Sequence, residues 1–444
     1  MTDRRGLGRD FWLYFAGQGV SQLGSSFTAF ALPLLVFRLT ESATNLAITM
    51  AANFVPYLLF GLVLGAVVDR VDRRRMMILV ELARGGVIAV LPVLYLTGDL
   101  QVGHVYAVAF VQSTLGILFD AGEFAAIPNL VGTDDLVTAN GRIMATNQAG
   151  QVLGPVLAGA LVAVMAPADL LLIDAATFGL SAATLVAVRT RFDAAEAVGE
   201  REGGAVARLV ADVREGLAFV WGHPVLRSIS LMMALINFVA ATAQTQLVLF
   251  GKTVLDLSDA RVGWLFAAGS AGVVVIGLVA GAFRRRLTFP VVALGALVVS
   301  GLALSAMAYA RWYPLVLVLW AAYTGFGLLL NINTGALRQA IVPNQMLGRV
   351  MSIAGVLAWS AIPLGALAGA WVIDATEDVA AVYAGIGLLT AAIAAAFALS
   401  PIRHGERYLA EAKAAREAVA AADHPLAPEE SAALVATLRP EPSP

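Results

Sequence analysis

The sequence predicts an all-α integral membrane protein: twelve transmembrane helices in two pseudo-symmetric six-helix bundles. Three observations carry that prediction. Of the 444 residues, 59% are hydrophobic and only 14% charged, whereas a soluble domain averages about 25% charged. A large core does not account for the deficit, because even a big globule must cover its surface with polar groups. An apolar solvent does. Apolar stretches of about 20 residues, enough for a helix to cross the hydrocarbon layer, also recur along the chain. Finally, its two halves repeat one another.

Taken in order, the twelve spans are 11–37, 44–68, 76–97, 103–126, 141–165, 169–189, 227–251, 260–283, 288–309, 313–337, 347–373 and 379–399. Pro33, Pro56, Pro92 and Pro155 fall inside spans, which membrane helices tolerate because neighbouring groups re-satisfy the freed carbonyls. The N-terminus, MTDRRGLGRD, runs straight into apolar sequence without a small-residue cleavage site, so the first span is read as uncleaved. Arginines crowd alternate loops: Arg4, Arg5 and Arg9; Arg70, Arg73, Arg74 and Arg75; Arg189, Arg191, Arg201, Arg208 and Arg214; Arg284, Arg285 and Arg286; Arg403 and Arg407. The intervening loops hold Arg38, Lys252, Arg261 and Arg311. By the positive-inside rule both termini are then cytoplasmic.

The expected organisation is a cytoplasmic N-terminus (1–10), an N-terminal bundle (11–189), a cytoplasmic linker (190–226), a C-terminal bundle (227–400) and a cytoplasmic tail (401–444). Within the linker, Val206–Trp221 reads as an amphipathic helix for the inner membrane surface. The tail, Ala/Glu-rich and ending LRPEPSP, reads as a helix fraying into a solvated appendage.

Composition also excludes chemistry. A net charge of −2 gives no pull toward nucleic acid, and the absence of cysteine removes thiolate, disulfide and iron–sulfur chemistry. Four scattered histidines lack metal-ligand spacing. Gly251-Lys252-Thr253 imitates the end of a phosphate loop, but Gln246 stands where the first glycine belongs. No enzyme and no resident cofactor is expected.

The duplication is visible in residues. Gly61-Leu62-Val63-Leu64-Gly65-Ala66 recurs as Gly277-Leu278-Val279-Ala280-Gly281-Ala282, each followed by arginines. Gly141-Arg142-Ile143-Met144 recurs as Gly348-Arg349-Val350-Met351, with Pro128-Asn129 and Pro343-Asn344 upstream. The offsets, 216 and 207 residues, nearly agree. Six-helix halves in parallel duplication are a transporter architecture whose substrate site lies near mid-membrane.

Two motifs then sharpen the reading. Gly65, Asp69, Arg70, Arg73 and Arg74 fit the pattern G-x-x-x-D-R-x-x-R-[RK], with Asp72 where a glycine commonly precedes the second arginine. Gly141, Gly150, Gly154, Pro155 and Gly159 fit G-x8-G-x3-G-P-x2-G-G, except that Ala158 replaces one glycine. On both motifs, and on Ile127-Pro128-Asn129-Leu130-Val131 and Asp174-Ala175-Ala176-Thr177-Phe178, the chain resembles the major facilitator superfamily. Within it, the likeness is to the bacterial drug-efflux group of macrolide exporters and enterobactin-type siderophore exporters. The resemblance implies that the first motif is a gate, Asp69 latching to an arginine or a helix N-terminus, and that the second marks an exporter. Physics alone reads those arginines as topology signals and those glycines as a groove for tight helix packing.

An ionisable group deep in a span costs on the order of 2.5–3.5 kcal/mol on insertion scales, so each needs a reason. Glu81 and Arg84 share a helix face and neutralise each other as a structural pair. Asp120 and Glu123 share a face with the same sign, and close carboxylates raise each other's proton affinity; with Asp174 they are the proton-coupling candidates, salt bridges to Arg142 being the competing reading. Gln18, Gln22, Asn53, Asn147, Gln151, Asn237, Gln244, Asn331 and Asn333 are substrate-cavity candidates, each as readily an interhelical hydrogen bond. Tyr14, Tyr57, Phe238, Trp264, Tyr323 and Trp359 are candidate apolar walls. With these residues, the resemblance implies a secondary transporter, monomeric as is usual for the family, that exports small lipophilic or amphiphilic molecules by proton antiport from the inner (plasma) membrane of a bacterium. Its partners are substrate, protons and the lipid bilayer. A siderophore or metabolite exporter and a non-transporting receptor or scaffold remain open at this level.

Overall fold

A computed structural model describes residues 7–68, 71–190, 192, 205–342, 344–411 and 414. Among them the backbone is helical throughout, without a strand. Most expected spans appear within a few residues of their predicted ends: α1 (Arg9–Thr40), α2 (Ala43–Val68), α3 (Arg73–Thr97), α5 (Pro167–Ala187), α9 (Asp259–Arg286), α10 (Phe289–Tyr309), α11 (Tyr313–Ile341) and α14 (Val379–Phe397). Their ends follow local chemistry. Asp72 caps α3 by accepting from Arg75 N at 3.0 Å, and Gly98, at φ 82°, closes it in the left-handed conformation. Proline in the first turn opens α5, α10 and α11.

Three spans differ. The expected fourth and fifth are the two arms of one helical run, α4 (Val102–Leu161). Its arms are antiparallel. Tyr106 and Ser113 of the first bond Asn45 and the Asn53 carbonyl, so that arm runs alongside α2. Gly150 and Gly154 of the second lie against Gln22 and Ser26, so that arm runs alongside α1. Because α1 and α2 are joined by a tight connection at Glu41 (φ 47°), the run folds back near Pro128, whose ring removes a helical hydrogen bond. Span seven is α7 (Pro224–Thr245) plus the short α8 (Leu247–Thr253), separated at Gln246. This glutamine is fully buried and gives its Nε2 to the Ala43 carbonyl at 2.8 Å. Span eleven is α12 (Asn344–Trp359) and α13 (Ala361–Thr376), because Pro363 in the first turn of α13 cannot follow an unbroken helix. The linker helix is present as α6 (Ala205–Gly222), packed on α12. Eleven helical stretches among the described residues are long and apolar enough to cross a membrane.

The chain divides into two compact units. The first comprises Met1–Arg201, Gln244–Ser270 and Ala366–Val379, and the second Glu202–Ala243, Ala271–Gly365 and Ala380–Pro444. In the first, Phe11, Tyr14, Met77, Phe119, Ile127, Ile143 and Leu185 form one buried cluster. In the second, Trp320, Phe289 and Tyr383 are fully buried, and Val350 of the repeated motif joins Val220, Leu226 and Val342. Its counterpart Ile143 is buried too, as a duplication requires. Leu79, Leu82, Leu96, Leu278 and Leu364 are each more than half exposed. Apolar exposure on that scale suits a lipid-facing surface.

Candidate functional site

The charged residues of the first unit converge from three helices. Glu81 and Arg84 lie on α3, Asp120 and Glu123 on the first arm of α4, and Asp174 on α5. Glu81 is completely buried, its Oε1 3.9 Å from Arg84 Nη1. Arg84 turns the rest of its guanidinium elsewhere. Its Nε donates to Gln112 Oε1 at 3.4 Å, and its Cζ stands 4.3 Å from the centre of the Phe178 ring. Gln112 returns a bond from Nε2 to the Arg84 carbonyl at 2.8 Å.

The expected proton-coupling candidates have different neighbours. Glu123 accepts from the Tyr14 hydroxyl at 2.6 Å. Asp174 is buried, accepting from Thr28 and, at 3.2 Å, from Thr177. Asp120 is exposed on the surface of the first unit. Arg142 lies over the Trp12 ring at 4.8 Å.

Of the gate motif, Asp69 and Arg70 lie outside the described residues, and Gly65 is in the last turns of α2. Arg73 is buried at the start of α3. Arg74 donates from Nε to the Leu185 carbonyl at 3.0 Å and from Nη2 to the Val186 carbonyl at 2.6 Å. It thereby satisfies the open C-terminus of α5, where a cation also complements the helix dipole. Arg75 pairs with Asp72 at 3.3 Å.

The second motif is a packing groove. A Cβ at Gly154 would come within 2.2 Å of Ser26 Cβ, and one at Gly159 within 2.8 Å of Gly263 Cα. Gly150 receives the stem of Gln22, and Ala158 is fully buried. Gly141 has open space around it. The glycines at 150, 154 and 159 thus let α1 and the start of α9 approach the backbone of α4.

Several polar candidates are engaged in helix bonds. Asn53, Asn331 and Asn333 donate to carbonyls of their own helices, at 3.2, 3.1 and 2.7 Å. Asn237 reaches the Ala358 carbonyl at 2.9 Å. Gln18 and Gln22, expected on one face, meet different neighbours: Gln18 Nε2 donates to Ser181 Oγ at 2.8 Å, whereas Gln22 packs on Gly150. Gln151 offers its backbone carbonyl to Ser270 at 2.8 Å. Asn147 is half-buried on α4, and Gln244 is exposed near the end of α7.

One constellation was not expected. Asp259, opening α9, holds both Arg38 from the last turn of α1 and Lys252 from α8. Thr44 of α2 donates to Asp374 of α13 at the same end of α1 and α2. The sequence showed each charge, but lone charges in short loops carry no sign of their partner.

The family model described as the Major Facilitator Superfamily matches residues 14–362. The chain belongs to that superfamily. Among curated relatives, the multidrug efflux pump Tap of Mycolicibacterium fortuitum is 30% identical over 364 residues, 79% of this chain and 86% of that protein. Macrolide efflux protein A of Streptococcus pyogenes is 24% identical over 374 residues, 82% and 89%. Among solved structures, an inward-facing bacterial homologue of the human lysosomal transporter Spinster has a TM-score of 0.68 at 12% identity, covering 92% of this chain and 99% of that one. A bacterial homologue of the iron transporter ferroportin has 0.67 at 16%, covering 89% and 100%. Identities this low establish shared architecture and nothing finer. Membership of the major facilitator superfamily makes the chain a multi-pass membrane transporter and not an enzyme.

Proposed function

We propose that this chain is an exporter of small lipophilic or amphiphilic molecules, drug- or macrolide-like, that works by alternating access and proton antiport. It sits as a monomer in the inner (plasma) membrane of a bacterium, both termini in the cytoplasm, and draws on the proton gradient instead of a bound cofactor. Relatives named as efflux pumps, aligned over about four-fifths of the chain, support export. The observation that carries the antiport reading is the charge balance of the first bundle. Glu81, Asp120 and Asp174 share the field of one arginine, Arg84, and Glu123 lies beside them. Fully ionised, that group holds a net charge of about −3 in a medium where each unpaired charge is expensive. Protons are the natural counter-charge, and a carrier that binds them inside the bundle can exchange them for substrate.

The reading is tested in cells preloaded with ethidium. Expression should speed ethidium loss, and a protonophore should abolish the difference. Undiminished efflux from vesicles whose gradient has been collapsed would remove the antiport claim while leaving transport standing.

A further inference from the structure

We propose that Glu81 is the carboxyl that binds and releases the transported proton, and that Arg84 is the arm that reports its state to α4 and α5. This rests on the antiport reading and names its site. The sequence paired these residues as a structural ion pair, and the structure keeps that pair at a long 3.9 Å. Glu81 has no exposed surface, and its carboxyl oxygens make no well-formed hydrogen bond, although the Ser181 hydroxyl faces them. Arg84 Nη1, at 3.9 Å from Oε1, is beyond hydrogen-bonding reach. The strong arginine–carboxylate pairs are bidentate and close. Here the guanidinium is held away, by Gln112 on α4 and the ring of Phe178 on α5.

Every element packed on Glu81 presents a polar or charged group to it. Arg84 comes from its own helix, Ser181 and Asp174 from α5, Glu123 from α4 and Tyr14 from α1. Asp120 of α4, itself exposed, is close enough for its charge to be felt at Tyr14. Arg84 is the one cation in that set, and it is shared: Asp174 also lies in its field. Ser181 is already an acceptor for Gln18, so its own proton is available to a carboxylate.

Two arrangements follow. With a proton on Glu81 the carboxyl is neutral, and Arg84 rests on Gln112 and Phe178, as seen. Without it, the carboxylate draws the guanidinium back for a charge-assisted bond, and both outer contacts of Arg84 are released. The step makes or breaks one O–H bond, exchanges the proton with water and needs no co-reactant. Because Gln112 and Phe178 belong to different helices, a single proton changes how α4 and α5 are tied to α3. Glu81 lies about 12 Å along α3 from Arg73, at 1.5 Å per residue, well inside the span.

The test uses the full chain in proteoliposomes, with ethidium as probe and an imposed pH gradient. Wild-type protein should accumulate ethidium against its gradient, and its ethidium exchange should vary with pH. Glu81→Gln should lose gradient-driven accumulation, and its exchange should become flat with pH. Glu81→Asp, which keeps the carboxyl, should retain coupling and a pH-dependent profile. If Glu81→Gln does not insert, infrared difference spectra of Glu81→Asp against wild type supply the readout: the carboxylic C=O band that titrates in wild type should move in the variant. Coupling that survives in Glu81→Gln, or an infrared band unaltered in Glu81→Asp, would overturn the assignment. Wild-type ethidium movement that ignores the pH gradient would instead overturn the antiport reading, a separate result.

Discussion

Two acids of the first unit, Asp259 and Glu81, have opposite environments, and the contrast separates a charge built to stay from one built to change. Asp259 sits at the start of α9 with two cations on it, Arg38 and Lys252, and its side chain keeps 13% of its surface exposed. It also stands in the first turn of a helix, where negative charge is favoured. Glu81 has no exposed surface, no well-formed hydrogen bond beyond the facing Ser181 hydroxyl, and one cation at a long 3.9 Å. Satisfied charges fix helix ends, whereas an unsatisfied buried charge is a place where a proton makes a difference.

The largest effect that would break this comparison comes from Arg84. Removing one partner of a buried charge constellation costs about 3–5 kcal/mol, because the remaining charge is left uncompensated. Arg84→Met should therefore sharply lower the melting temperature in detergent, and Glu81→Gln added to it should restore much of the loss. A single variant as stable as wild type would show that the guanidinium does nothing for the acids around it. Next comes the packing that seats Asp259. Gly263, one helical turn beyond it, lies against Gly159, and a Cβ there would meet Gly159 Cα at 2.5 Å. Gly263→Val forces two backbones apart and should cost about 1–3 kcal/mol, with transport falling in parallel. Gly141→Ala, at a motif position with open space, should be nearly silent in both assays.

The fold was legible because its signal is long and redundant: twenty-residue apolar runs, arginine loops and two matched halves each say the same thing. What escaped were breaks set by single contacts. The bend after Gln246 depends on that side chain finding the Ala43 carbonyl, some 200 positions away in sequence. The continuity of α4 through residues 127–140 depends on a connection that reads as a loop by its Pro128-Asn129 pair. The site was half legible. The sequence supplied every ionisable group in the bundle, and the i, i+3 spacing put Glu81 and Arg84 on one face. The structure keeps that pair, at a long 3.9 Å. Which way a guanidinium points is decided by Gln112 and Phe178, residues that carry no signal of that role in one sequence.

A smaller effect belongs to the satisfied end of the comparison. Asp259→Asn leaves Arg38 and Lys252 facing one another without their acid. Arg38 is 41% exposed and water relieves the repulsion, so the loss should be about 1 kcal/mol or less. It should shrink further as salt is raised, with a screening length of about 10 Å at 0.1 M. A melting-temperature series across ionic strength reads both. A loss as large as that of Arg84→Met would mean that the two regions do not differ in kind.

The smallest effect provides a control outside both regions. His223, between α6 and α7 in the second unit, is buried beside Tyr408, ring centres 5.3 Å apart, and its Nδ1 faces Leu226 N at 3.5 Å. Burial pushes this imidazole down to about 4, so the folded protein holds it neutral while the unfolded chain takes a proton below its ordinary value of about 6.5. Between those values the unfolded state binds more protons, and stability rises with pH. Its contribution is therefore complete above about pH 6.5 and is lost as the pH falls toward 4. Melting temperatures of wild type should drop by a few degrees across that window, and those of His223→Gln should drop less. Because His223 lies outside the bundle that carries Glu81, its substitution should leave the pH profile of ethidium exchange as it was. A profile altered by His223→Gln would mean that the acid response of transport reports the stability of the second unit, and the contrast between Asp259 and Glu81 would lose its functional meaning.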